Sequence, residues 1–437
     1  MFERVALVVV PVVLLTSVLT LTVGVASNMG QASLSHPAIA RSTPTSPPTT
    51  PPKSRPSLTP PRSPRAGPPA VAVAAGIAPP PAASPFVSRQ GTQLYADGQP
   101  YRFMGMNIYN ANSTNNCWYT LATGSVLDSS LNALPGQNVF RAWFFQQEAT
   151  FSGVRDWSAF DHTLAVAKAH GERVVATLAD QWGACEGGVY RNEAWYQSGY
   201  RTTIDADARE PYRDWVAAMV SRYRNDPTIM AWQLMNEAED QSGTYGGACS
   251  ATSNASLKTW ATDMASLVKS TDSNHLLSLG TIGSGQCGGL DYRDLYSVEG
   301  IDLCEYHDYV DPNSPMPGDP WHGLQVQLNL CTALNKPLFL GETGITGGAT
   351  LENRAAQFQA KFAAQFSAGV VGELIWNWRD GSHGGSSLSD YWVGPGDPTI
   401  NLLGKFSPAA PGSISSFLQR APAATARSNA HNKANKK

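Results

Sequence analysis

Residues 338–344 read Leu338-Phe339-Leu340-Gly341-Glu342-Thr343-Gly344, an apolar run that stops on a carboxylate. Earlier in the chain, Trp232-Gln233-Leu234-Met235-Asn236-Glu237 repeats the pattern. So short and so apolar a run offers little polar face to water, so it reads as a strand covered on both sides, the habit of parallel sheets. A carboxylate directly after such a strand stands at the rim of the sheet, within reach of a ligand.

Working outward, eight such runs recur, at residues 102–107, 138–144, 173–178, 229–235, 275–279, 301–306, 337–341 and 371–376. Residues 157–170, 212–223, 256–270, 324–334 and 352–368 lie between them and place apolar side chains at three- and four-residue spacing, which predicts helices. Strands joined through helices must run parallel, and eight units over this length fit a closed (β/α)8 barrel of α/β class better than an open sheet. No GxGxxG follows the first run, which argues against a dinucleotide fold.

The ends of the 437-residue chain differ from this middle. Residues 1–30 carry an apolar stretch, 5–26, after Arg4, with small residues near Ala26; it reads as a signal peptide, or as a membrane anchor if uncleaved. Residues 31–85 hold 16 prolines and no acidic residue, the composition of a disordered, extended tether. Residues 409–437 suggest a short terminal helix at 413–418 and a disordered basic tail.

The catalytic-domain candidate is therefore 86–408. It holds 33 of the 34 acidic residues but 20 of the 31 Lys and Arg, so it is near −13 while the whole chain is −3. An acidic domain without a basic stripe excludes nucleic acid and other polyanions as partners and suits a neutral ligand. All 12 tryptophans lie here too. The six cysteines, at 117, 185, 249, 287, 304 and 331, form no CxxC pair; behind an export signal they predict disulfides, with 15 possible pairings, and no zinc site. Asn112-Ser-Thr and Asn254-Ala-Ser match the glycan-acceptor pattern.

In a barrel of this kind chemistry sits at the carboxyl ends of the strands, so the polar residues closing the runs read as one ring. It comprises Asn107, Arg141, Asp180, Gln181, Trp182, Asn236, Glu237, His307, Tyr309, Glu342, Trp376 and Trp378. Singly, most have a bland reading: Glu237 could complement a helix dipole, and Glu342 could close a turn. Jointly, the ends of the fourth and seventh strands face each other across one mouth. Two carboxylates so placed are the equipment for glycosidic cleavage. Arg141, between apolar neighbours, needs a carboxylate partner, and an opposite charge at contact favours the ionised carboxylate. Trp376 and Trp182 are candidates to stack on a pyranose ring; Trp378 is as readily barrel packing. Asp180, Glu305 and Glu373 are rival carboxylates.

At these residues the chain resembles glycoside hydrolase family 5, the retaining (β/α)8 enzymes of clan A, over nearly all of 86–408. The opening Phe86-Val-Ser-Arg-Gln-Gly-Thr-Gln-Leu-Tyr-Ala-Asp97 through Asn107, Phe140-Arg-Ala-Trp-Phe and Leu178-Ala-Asp-Gln-Trp-Gly183 are similar to the endo-β-1,4-mannanases. The resemblance implies Glu237 as acid/base, Glu342 as nucleophile, and support from Arg141, Asn236, His307, Tyr309 and Trp376. Two departures are Ala238 where the family has proline, and Asp180 with Gln181 where a histidine is usual near strand three; Gly-Glu-Thr-Gly also replaces the mannanases' commoner Glu-Phe-Gly.

The expectation is a monomeric, exported or tethered β-1,4-glycanase acting by double displacement, with carboxyl groups about 5 to 5.5 Å apart and no cofactor or metal. Asn236 would hold the sugar 2-hydroxyl, and Tyr309 and His307 would position the carboxylates. Mannan leads; cellulose, mixed-linkage glucan and exo-cleavage of β-mannosides are rivals with the same residues, and a non-catalytic carbohydrate-binding barrel is the rival of another class.

Overall fold

The computed structural model describes residues 81–112, 125–240, 249–284, 291–309, 316–320, 322–346, 349–382 and 384–407. The signal or anchor at 1–30, nearly all of the tether at 31–85, and the helix and tail expected at 409–437 lie outside the described residues.

Eight strands and eight helices alternate among these residues. In order they are β1 (Phe103–Met106), α1 (Val126–Asn132), β2 (Val139–Trp143), α2 (Ser158–His170), β3 (Arg173–Thr177), α3 (Tyr212–Tyr223), β4 (Ile229–Gln233) and α4 (Ser253–Thr271), then β5 (Leu276–Ser278), α5 (Tyr292–Tyr296), β6 (Cys304–Asp308), α6 (Leu324–Ala333), β7 (Leu338–Thr343), α7 (Leu351–Ala368), β8 (Gly372–Ile375) and α8 (Asn401–Phe406). All eight expected strands and all five expected helices are present; short α1, α5 and α8 carried too little periodicity to be read. The strands pair in parallel as β2-β3-β4-β5 and β6-β7-β8-β1. Both seams are closed by backbone hydrogen bonds: Ile108 N–H to Arg141 O at 2.9 Å joins β1 to β2, and Asp302 N–H to Leu277 O at 2.8 Å joins β5 to β6. The result is a closed (β/α)8 barrel.

Alternation along the strands builds two apolar layers. Phe103, Val139, Val175, Ala231, Leu303, Phe339 and Leu374 fill the barrel interior, while their neighbours Met104, Phe140, Val174 and Trp232 meet the helices. The period of two therefore sends Arg141 inward from β2, between outward-facing Phe140 and Ala142. Below the barrel, three short antiparallel strands (Ser88–Gln90, Gln93–Ala96, Gln99–Tyr101) turn at Asp97-Gly98, both at positive φ. Val87, Leu94, Ala96 and Tyr101 join the interior layer, so this sheet stoppers the amino end and leaves the carboxyl end as the accessible mouth.

Cys304 and Cys331 form a disulfide between β6 and α6, with Cα atoms 6.3 Å apart, and Cys185 and Cys249 each take part in a disulfide of their own. Cys117 and Cys287 lie outside the described residues. The Asn112 side chain is fully buried and donates to Trp143 O at 2.7 Å, which closes it to glycosylation, and Asn254 bonds Asp291 and Asp294. No helix among the described residues is long and apolar enough to cross a membrane.

Candidate active site

Glu342 is the fifth residue of β7 and points into the mouth, 3 % exposed. Arg141 from β2 crosses the barrel and donates from Nη1 to Glu342 Oε1 at 2.7 Å, and the Tyr309 hydroxyl, just past β6, donates to Glu342 Oε2 at 2.5 Å. Arg141 is itself fully held: Nη1 reaches Asn107 Oδ1 at 2.8 Å, Nη2 reaches Asn236 Oδ1 at 2.5 Å, and Nε reaches Gln233 Oε1 at 2.9 Å. A buried guanidinium is tolerable only when paired and saturated in this way. Two glycines make room. A Cβ on Gly341 would come within 1.9 Å of Glu305 Oε1, and one on Gly344 within 2.4 Å of the Tyr309 ring.

Glu237 follows β4 at φ 54°, in the left-handed region that a glutamate rarely occupies. Backbone strain of this type, about 1–3 kcal/mol, persists where the surroundings over-determine it. Here Asn236 N–H donates to Ala179 O at 2.7 Å, and Ala238 N–H donates to Gly280 O at 3.1 Å, clamping the residue from both sides. The turn aims the carboxylate at β6 and β7. Trp182 Nε1–H donates to Glu237 Oε2 at 2.5 Å, and His307 Nδ1–H donates to Oε1 at 2.8 Å.

His307 joins the two acids. Its Nδ1 also lies 3.6 Å from Glu342 Oε2, and its Nε2 lies 3.3 Å from Glu305 Oε1. Burial alone would favour the neutral imidazole, but the surrounding carboxylates of Glu342, Glu237 and Glu305 outweigh it and raise the pKa to about 10. The ring is an imidazolium at neutral pH. Donor atoms of Glu237, His307 and Glu342 all lie within 4.8 Å of one another. With Arg141 in contact and the imidazole charged, this cluster opposes rather than attracts a cation.

Asn236 is oriented from behind, its Nδ2 donating to Asp180 Oδ1 at 2.7 Å. Burial pushes the Asp180 carboxyl up to about 7, against the hydrogen bonds from Asn236 and Ala184. Opposite, Trp376 is partly exposed and stacks on Tyr109 at 5.4 Å, with Trp143 behind, giving a continuous aromatic wall. The Trp376–Asn377 peptide is cis. Trp182 presents a partly exposed ring beside Tyr190, and Tyr391 meets Tyr309 edge-on at 4.8 Å.

Of the twelve ring residues, Asn107, Arg141, Trp182, Asn236, Glu237, His307, Tyr309, Glu342 and Trp376 surround or directly support the mouth, Asp180 stands behind Asn236, and the buried Gln181 donates to Arg191 O and accepts from the Tyr196 hydroxyl. Trp378 stands apart: at 1 % exposure it belongs to the hydrophobic core, which is the packing reading, because the chain after β8 turns it away from the opening. His307 lies within β6 rather than after it. Of the rival carboxylates, Glu373 faces α7 and accepts from Thr343, away from the mouth, whereas Glu305 lies beneath it. Sequence reading missed Gln233, Tyr109 and Tyr391. Gln233 carried a signal, a polar residue at the inward parity of an apolar strand; Tyr109 and Tyr391 sit on irregular segments without one.

A stoppered parallel barrel with two facing, hydrogen-bonded carboxylates at its carboxyl mouth defines a glycosidase. The family model described as Cellulase (glycosyl hydrolase family 5) matches residues 94–382, and the chain belongs to that family. It is 28% identical over 345 residues to a mannan endo-1,4-beta-mannosidase A from Hypocrea jecorina, covering 71% of this chain and 74% of the relative. It is also 28% identical to mannan endo-1,4-beta-mannosidase 8 of Oryza sativa subsp. japonica, over 69% of this chain and 89% of that one. Among solved structures, the hyperthermostable endo-1,4-beta-D-mannanase from Thermotoga petrophila shares its fold with a TM-score of 0.54 at 22% identity, covering 70% of this chain and 99% of the other. The endo-1,4-beta-mannanase from Rhizomucor miehei does so with a TM-score of 0.57 at 18% identity, covering 77% and 100%.

Proposed function

We propose that this chain is a retaining endo-β-1,4-mannanase in which Glu342 is the nucleophile and Glu237 the acid/base. The observation that carries the reading is the pair itself: oxygens of Glu237 and Glu342 approach within 4.8 Å across the mouth, which is on the scale of double displacement. Arg141 and Tyr309 suit Glu342 to attack the anomeric carbon as an anion. Glu237 then gives its proton to the departing glycosidic oxygen, and takes one from the water that later cleaves the glycosyl ester, so the acid is regenerated. Asn236 keeps one amide hydrogen for the sugar 2-hydroxyl, and Trp376 and Trp182 offer faces to pyranose rings. Trp378 has no part in this.

Mannan as substrate is supported by the two curated relatives described above, both named as mannan endo-1,4-beta-mannosidases. The family description, Cellulase, favours β-1,4-glucan as the second reading. Export is supported by the disulfide between Cys304 and Cys331 and by the apolar residues 5–26, with 31–85 as tether and 86–408 as the catalytic domain. Mass-spectrometric product profiling on β-1,4-mannan, glucomannan, cellulose and an aryl β-mannoside tests the reading. Mixed manno-oligosaccharides support it; mannose alone means exo-action, products from cellulose alone mean a glucanase, and no product from any means a binding barrel.

A further inference from the structure

Glu305 is a rival carboxylate beneath the mouth that the double displacement does not use. It sits in β6, fully buried, in the barrel interior. Its Oε2 accepts from Ser278 Oγ at 2.6 Å, and its Oε1 lies 3.3 Å from His307 Nε2 and accepts from Gln233 Nε2. Gln233 Oε1 in turn accepts from Arg141 Nε at 2.9 Å and from Thr177 Oγ1 at 2.6 Å. Two chains of contacts thus leave one anion. The first runs Glu305–His307–Glu237; the second runs Glu305–Gln233–Arg141–Glu342.

Charge balance gives this geometry a purpose. When Glu237 carries the proton that it donates, Arg141 and His307 are two cations facing two anions, Glu342 and Glu305. Without Glu305 the interior holds an uncompensated positive charge, and an imidazolium in that position costs far more than a neutral ring. The other groups facing His307 and Glu305 do not replace it. Tyr309 is bonded to Glu342, Asp180 to Asn236, and the Tyr296 hydroxyl of α5 donates to the Glu305 carbonyl rather than its carboxylate.

We propose that Glu305 is a positioning residue for hydrolysis, resting on the reading of Glu237 and Glu342 above: it holds His307 as the imidazolium that both glutamates share and, through Gln233, fixes the Arg141 fork on Glu342. It touches no substrate. Its effect therefore appears in the pH dependence and in kcat rather than in KM.

The test compares wild-type protein, Glu305→Gln and Glu342→Ala by ¹⁵N NMR of the histidine rings, without substrate, and by kinetics on an aryl β-mannoside and β-1,4-mannan. In the wild type His307 stays doubly protonated through about pH 8; in Glu305→Gln it becomes neutral between about pH 6 and 8, because the ring loses an anionic partner. The alkaline limb of kcat/KM moves to lower pH, kcat falls about 10²-fold, and KM stays within about twofold. A folded Glu305→Gln with an unaltered His307 titration and pH profile overturns the proposal. Should that variant not fold, Glu305→Asp decides: reduced kcat with a charged His307 supports positioning, and wild-type kinetics overturn it. Glu342→Ala separates the two claims, since undiminished turnover there refutes the hydrolytic assignment while the substrate-free titration still judges Glu305.

Discussion

Arg141 Nη1 and Glu342 Oε1 meet at 2.7 Å across the barrel, one from β2 and the other from β7, with side chains 1 % and 5 % exposed. So buried a pair is costly to assemble and costlier to break, because removing either member strands the other in a low-dielectric interior. Arg141→Ala is expected to lower stability by about 3–5 kcal/mol in denaturant titration. Arg141→Lys keeps the charge but loses the planar fork that spans Asn107, Asn236, Gln233 and Glu342, so the protein should fold with kcat reduced about 10²-fold. Glu342→Ala should cost about 10⁴-fold or more in turnover. Activity near wild type in Glu342→Ala moves the nucleophile elsewhere.

Trp182 acts on Glu237 through a single polar atom, its indole N–H at 2.5 Å. Trp182→Phe preserves an aromatic face for a sugar ring and deletes only that donor. A hydrogen bond to a group that becomes charged contributes about 1.5–3 kcal/mol, so kcat should fall about 10- to 100-fold while KM changes little. A large rise in KM with unchanged kcat would instead make stacking on substrate the ring's main task.

The barrel was legible because each strand is covered on both faces and so leaves an unbroken apolar run, and the long helices leave a strong period. The candidate site was legible for a related reason. A polar residue that ends such a run, as at Glu237 and Glu342, or interrupts its inward parity, as at Arg141, has no packing explanation. Tyr109 opens a single 3₁₀ turn and Tyr391 lies on a loop, where no period marks a side chain as inward-facing, and Trp378 shows the converse error: nearness to a strand end in sequence does not fix the direction of a ring after an irregular turn. The amino-terminal stopper was missed because its three strands are short and half-exposed.

Glu172 offers a test of burial at the other end of the barrel. It is 4 % exposed at the start of β3, accepts from Gln137 Nε2 at 2.8 Å, and burial raises its pKa to about 8 from 4.5. Because the folded state holds this proton more tightly than the unfolded state, stability is greatest below about pH 4.5 and declines as pH rises toward 8. Glu172→Gln keeps an acceptor for Gln137 and removes the titration. Its melting temperature should exceed that of the wild type at about pH 9, by an amount corresponding to a few kcal/mol, and match it near pH 4. Equal melting curves at both pH values would show that water reaches the carboxylate.

The Cys304–Cys331 bridge closes a sequence separation of 27 residues between the first residue of β6 and α6. Chain-entropy arguments assign about 3.5 kcal/mol to a loop of that length, from the restriction of the unfolded chain. Both sulfurs are buried, at 0 % and 1 % exposure for their residues, so the Cys304→Ala, Cys331→Ala double variant adds a small packing loss. The bridge lies at the entry of β6, whereas His307 is three residues further toward the mouth, about 10 Å at the rise of a strand. Its removal should therefore lower the denaturation midpoint and leave kcat and KM at 25 °C unaltered. A fall in kcat without a change in midpoint would mean that β6 transmits strain along its length to the His307 imidazole, and that the stem of the barrel takes part in holding the two glutamates at their distance.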